Sequence, residues 1–141
     1  MIPTNSLLPP SAGDLALLKA AKLALRHAHA PYSKFRVGAA LRARDGRIFS
    51  GCNVENASYG LTICAERVAL FSAIAAGARR FESIAIVAEG IPPLPCGACR
   101  QTLAEFFRPT DSLWVATSTD LRRAKGYTLN ELLPHPFQFK S

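Results

Sequence analysis

Apolar residues recur at helical spacing in Leu15-Ala-Leu-Leu-Lys-Ala-Ala-Lys-Leu-Ala-Leu25. That period predicts a helix. Ser11 and Asp14 read as the capping box that opens it, with Asp in place of the usual Glu or Gln. The helix should run to about His29, and Pro31 should stop it. Two β-prone runs, residues 35–44 and 47–54, flank Asp45-Gly46, a strong hairpin signal. Residues 64–76 form a second apolar helical stretch, with Gly77 as its C′ residue. Residues 83–88 and 113–116 are short continuous apolar runs, the mark of strands buried on both faces. A third helix should start near Cys96 or Gly97, run to about Phe107 and end by Pro109. Thr128 and Glu131 form a second capping box, opening a short last helix before Pro134.

The element order is thus α-β-β-α-β-α-β-(β)-α. Helices of ten or more residues between strands call for crossovers, and crossovers for parallel neighbours. The expected fold is α/β: a three-layer α/β/α sandwich around a mixed, mostly parallel five-stranded sheet. Its antiparallel part is the first hairpin. Residues 1–10, rich in proline, are expected to be a flexible arm, and residues 11–141 a single domain.

Composition narrows the class. The 141 residues are 49% hydrophobic, enough for a packed core and too many for a disordered chain. No apolar run approaches 18 residues, so no transmembrane helix and no membrane partner is expected. The start lacks a basic segment followed by an apolar one, which speaks against a secretory signal and for a reducing, cytoplasmic setting. The net charge of +7 raises the question of a nucleic-acid partner. The basic residues are scattered, however, and aromatics do not interleave with them, so solvated basic faces are the better reading.

Three of the four cysteines stand out by spacing. Cys96-Gly-Ala-Cys99 is a C-x-x-C preceded by Pro95, and Cys64 opens Cys64-Ala-Glu66. A lone C-x-x-C is redox or zinc chemistry without distinction. A third cysteine at another predicted helix start favours zinc. Three thiolates leave the fourth tetrahedral position open, as catalytic rather than structural zinc requires. Helix N-termini favour the thiolate form. Cys52 could be a fourth ligand, but its strand pattern suggests a packed thiol. Glu66 is either a first-turn carboxylate favoured by the helix dipole or, beside a metal, the acid–base group. Arg67 and Arg100 could each donate to ligand sulfurs, and Arg67 is favoured. Asn53 and Glu55 share one face of an extended segment. They read as a polar strand end or as a grip on a polyhydroxylated group such as a ribose.

C-x-E followed by P-C-x-x-C is a zinc deaminase signature. The stretch from Gly51 through Asn53-Val-Glu55-Asn-Ala to Arg67 closely resembles the cytidine deaminase family. So do Ala30-Pro-Tyr-Ser33, Phe35, Val37-Gly-Ala39, Pro95–Gln101 and Leu132-Leu-Pro134. The resemblance covers residues 14 to 137. It implies zinc-dependent hydrolysis of cytidine and deoxycytidine to uridine and deoxyuridine. It implies Cys64, Cys96 and Cys99 as ligands of one Zn²⁺ per subunit, and Glu66 as the proton shuttle. It implies substrate contacts from Asn53, Glu55, Phe35, Ala65 and Phe137, the first two at the ribose 3′-hydroxyl. A cysteine in the first ligand position resembles the short homotetrameric branch, whose active sites are completed across subunits. The alternatives are a blasticidin-type deaminase, which shares the C-A-E and P-C-x-x-C elements, and a zinc-stabilised binding module without turnover.

Overall fold

The structure, a computed structural model, describes residues 9–139, so the arm expected at residues 1–10 lies almost wholly outside it. Its elements are α1 (Ala12–Leu25), β1 (Val37–Ala43), β2 (Ile48–Cys52), α2 (Ala65–Ala75), β3 (Phe81–Ala88), α3 (Gly97–Ala104), β4 (Ser112–Thr117), β5 (Asp120–Thr128) and α4 (Leu129–Leu132). Both expected capping boxes form, at Ser11–Asp14 and Thr128–Glu131. Gly77, at φ 97°, closes α2: its N–H reaches the Ile74 carbonyl, and the Ala78 N–H reaches that of Ala73.

The five strands lie in the order β2-β1-β3-β4-β5. The sheet is mixed, as expected, but not mostly parallel. Only β3 and β4 pair parallel, while β1–β2, β1–β3 and β4–β5 are antiparallel. The crossover argument itself survives. Strands β2 and β3, joined through α2, do run in the same direction, but β1 lies between them. The fifth strand, bracketed in the expected order, is β5, a nine-residue edge strand whose Leu-Arg-Arg-Ala-Lys run carries little apolar signal.

Helix α1 is also shorter than its pattern suggests, ending at Leu25 rather than near His29. The His29 N–H donates to the Asn53 carbonyl at 3.0 Å, and the Glu55 N–H donates to the His29 carbonyl at 2.8 Å. These cross-chain bonds hold His29 beside Val54 as a short bridge instead of a last helical turn.

Two cores sandwich the sheet. On one face Leu17, Leu18, Ala21 and Leu25 of α1 cover Ala40, Ala85, Val87 and Trp114. On the other, α2, α3 and α4 cover Ala39, Leu41, Ile84, Ile86 and Val115. Both contacts are close. A Cβ on Gly38 would stand 2.0 Å from the Ala21 carbonyl oxygen, and one on Gly51 would stand 2.5 Å from the Ala69 nitrogen. Backbone, not flexible side chain, occupies both places. Gly38→Ala is therefore expected to lower the unfolding free energy by about 1–3 kcal/mol, read as a lower urea midpoint at unchanged m. Gly13→Ala, whose new Cβ meets nothing closer than 3.8 Å, should leave stability unchanged or raise it.

Candidate functional site

Strands β2 and β3 end at the same edge of the sheet, and the chain leaving each one starts a helix. Cys64 is the N-cap of α2 and Cys96 the N-cap of α3, and neither side chain caps its own helix. Both sulfurs are left free to face one another. Cys99 joins them from the first turn of α3.

The Cys64 and Cys96 sulfurs are 3.9 Å apart, and all three Sγ atoms lie within 4.8 Å of one another. Four ligands arranged tetrahedrally at a Zn–S distance of about 2.3 Å stand about 3.8 Å apart, so the spacing suits one zinc ion. None of the cysteines is in a disulfide. Cys52 lies on β2 outside this group, and burial pushes its thiol up.

The charges also suit a cation. Arg67 Nη2 donates to Cys64 Sγ at 3.6 Å, and Arg67 Nε is buried without a partner. A buried guanidinium edge needs negative charge nearby, which thiolates supply and thiols do not. The Cys64 thiol is drawn down to about 5, first by the hydrogen bond from Cys99 and then with help from Arg67. The Cys99 thiol is pushed up, first by its interaction with Cys64 and then by burial. Soft thiolates, three in number, fit zinc with one position open.

Glu66 follows Cys64 by two residues and is only 5% exposed. Burial pushes its carboxyl up to about 7. A carboxyl poised there can both take and give a proton near neutrality.

The remaining residues group less tightly. Glu55 accepts hydrogen bonds from the Tyr32 and Ser33 N–H groups and the Ser33 hydroxyl. With Tyr32, Ser33, Tyr59 and Thr62 it lines a cavity of about 330 Å³, within the range of small-molecule sites. Asn53 is 8% exposed and already engaged. Its Oδ1 accepts from the Val37 N–H at 2.9 Å, and its Nδ2 donates to the Phe35 carbonyl at 2.8 Å. Phe35 is half-buried against the α2-side core, and Ala65 is wholly buried in it. Phe137 lies on the far C-terminal segment, 73% exposed.

Arg67 is thus the arginine that reaches a sulfur. Arg100 turns away and clamps the Pro95 and Leu132 carbonyls, each at 2.8 Å. Gln101 makes a two-way amide clasp with the Phe137 backbone, 3.0 Å in both directions. The Arg100–Leu132 and Gln101–Phe137 contacts are not visible locally, since those partners lie more than thirty residues apart. The Ser33 contact had one faint signal, the Pro31 turn.

Residues 12–114 match the model of the cytidine and deoxycytidylate deaminase zinc-binding region. The chain is similar to a cytidine deaminase of Sporosarcina psychrophila, 54% identical over 123 residues, 86% of this chain and 88% of that one. It is 48% identical over 126 residues to a cytidine deaminase of Halalkalibacterium halodurans, covering 86% of this chain and 91% of the relative. The crystal structure of cytidine deaminase from Burkholderia pseudomallei superposes with a TM-score of 0.81 at 51% identity, over 86% of this chain and 97% of that one. A family model that matches residues 12–114, and relatives about half identical over most of their own length, show that the chain belongs to the cytidine and deoxycytidylate deaminase family.

Proposed function

We propose that this protein hydrolyses cytidine and deoxycytidine to uridine and deoxyuridine, releasing ammonia. The observation that carries the reading is the meeting of Cys64, Cys96 and Cys99 beside a buried Glu66. Relatives named cytidine deaminase over nearly the whole chain support it, and they do not favour the blasticidin-type alternative.

The three cysteines are the ligands of one zinc ion, and Arg67 steadies the Cys64 thiolate. When bound, zinc acts as a Lewis acid that makes water a nucleophile near neutral pH. Glu66 takes the proton from the attacking water and gives it to ring N3, which polarises C4. With the water oxygen bonded to C4, Glu66 takes the second proton from that new hydroxyl and passes it to the amine; the C4–N bond breaks, C4 becomes a carbonyl, and ammonia and the uracil nucleoside leave. Asn53 and Glu55 hold the ribose 3′-hydroxyl, and Phe35 packs near the nucleoside; Ala65, wholly buried in the core, offers the substrate no surface of its own. Anionic Glu55 would repel a phosphodiester, which favours a free nucleoside over a nucleic-acid strand.

The assembly we infer is a homotetramer of the domain spanning residues 11–141. Exposed Tyr59, Leu61, Phe71 and Phe137 support it, as apolar surface that a partner would cover. In this assembly Phe137 completes a neighbouring subunit's site; its exposure and the hold of Gln101 on its backbone support that role. A cytoplasmic setting accords with the free cysteines; no helix among the described residues is long and apolar enough to cross a membrane.

Glu66→Ala should lower kcat by at least about 10²–10⁴-fold while zinc content stays at the wild-type level. Metal assay and the loss of cytidine absorbance, measured on the same preparation, check both halves. Stripping zinc with a chelator should abolish turnover, and one equivalent of zinc should restore it. Full activity in the stripped protein would refute the metal-dependent reading.

A further inference from the structure

We propose that the turn Pro31–Lys34 is a receptor for the Glu55 carboxylate, and that Ser33 is the positioning residue that aims Glu55 at the sugar. The proposal rests on the reading of Glu55 as a ribose contact and adds what makes that contact selective.

The turn is shaped around the carboxylate. The Tyr32 and Ser33 N–H groups donate to Oε1 at 3.0 and 3.1 Å. The Ser33 hydroxyl donates to Oε2. That hydroxyl in turn accepts from the Phe35 N–H at 3.0 Å, which directs its own proton at Glu55. The geometry depends on Lys34, the one non-glycine residue with positive φ among those described, at 62°. Side chains rarely adopt that conformation, and where they do the surroundings hold them there. Here the Lys34 N–H closes the turn on the Ala30 carbonyl at 3.1 Å.

The bonding pattern leaves one acceptor direction free. A carboxylate offers about four lone-pair sites. Two donors fill Oε1, one occupies Oε2, and the fourth remains for a ligand. Glu55 and Ser33 both line the 330 Å³ cavity, so a ligand can reach it. Asn53 is less available, because the Val37 and Phe35 backbone already holds both ends of its amide. The Ser33 hydrogen bond, ahead of the two N–H groups, keeps the Glu55 carboxyl below its ordinary range. Glu55 therefore stays an acceptor across the neutral range. A fixed anionic acceptor selects a hydroxyl that can donate, and it penalises an analogue that leaves it unpaired.

The test compares cytidine with 3′-deoxycytidine as substrates for the zinc-loaded wild type, Ser33→Ala, Ser33→Thr and Glu55→Gln. Ser33 is exposed, so folding should survive; zinc content and melting temperature confirm it. Ser33→Ala should raise KM for cytidine about tenfold with kcat within about threefold, as expected for one lost bond to a charged group. Its preference for cytidine over 3′-deoxycytidine, taken as the ratio of kcat/KM values, should fall by a similar factor. Ser33→Thr, which keeps the hydroxyl, should restore both. Should the alanine variant lose zinc, Ser33→Cys keeps the shape with a weaker donor and should give an intermediate preference. If Ser33→Ala keeps the wild-type preference while Glu55→Gln loses it, the turn is only a structural connection and the proposal is overturned. If Glu55→Gln also keeps the preference, Glu55 does not read the sugar, and the underlying reading falls with the proposal.

Discussion

Three thiols held within 4.8 Å of one another by two separate helix starts are the constraint on which the rest of the structure depends. The sulfurs crowd one another, Cys64 and Cys96 at 3.9 Å, and Arg67 brings its guanidinium to Cys64 beside them. Such an arrangement persists only if the fold fixes both helices independently. Helix α2 is fixed by Gly51, which lets its backbone lie directly on β2. Helix α3 is fixed by Arg100, which ties the loop before it to the end of α4.

Strand direction explains why the site residues meet. Strands β2 and β3 run the same way, so the chain leaving each emerges at one edge of the sheet. The antiparallel β1 between them begins at that edge. Its approach segment carries Ser33 and Phe35, the exit from β2 carries Asn53 and Glu55, and the two helix starts carry the cysteines. Carboxyl ends of strands are the usual place for ligands in open α/β sheets. Here the reversed β1 adds its amino end to the same edge, and the segment leading into it brings Tyr32 and Ser33 to the cavity that Glu55 lines.

The local elements and the metal cluster were legible in the sequence because their signals are local. Helical periodicity, the Asp45-Gly46 turn, two capping boxes and the C-x-x-C each need only a few adjacent residues. Strand direction was not legible. The crossover rule relates β2 to β3 without revealing that β1 inserts between them. Strand β5 was nearly silent because an edge strand can carry Arg122, Arg123 and Lys125 without cost to a core. The end of α1 was misplaced since His29 is decided by Asn53 and Glu55, far along the chain. The same holds for Ser33 and Gln101. Their partners are backbone atoms or side chains brought near only by folding, and composition gives no sign of them.

Zinc-edge X-ray absorption on the purified protein tests the three-thiolate centre most directly, because it counts sulfur neighbours without reference to activity. The expected spectrum has three sulfurs at about 2.3 Å and one lighter neighbour at about 2.0 Å. Four sulfurs would mean that Cys52 or another thiol closes the site, and a shell without sulfur would mean that the cluster is not the metal centre. Either result would contradict an open catalytic zinc held by Cys64, Cys96 and Cys99.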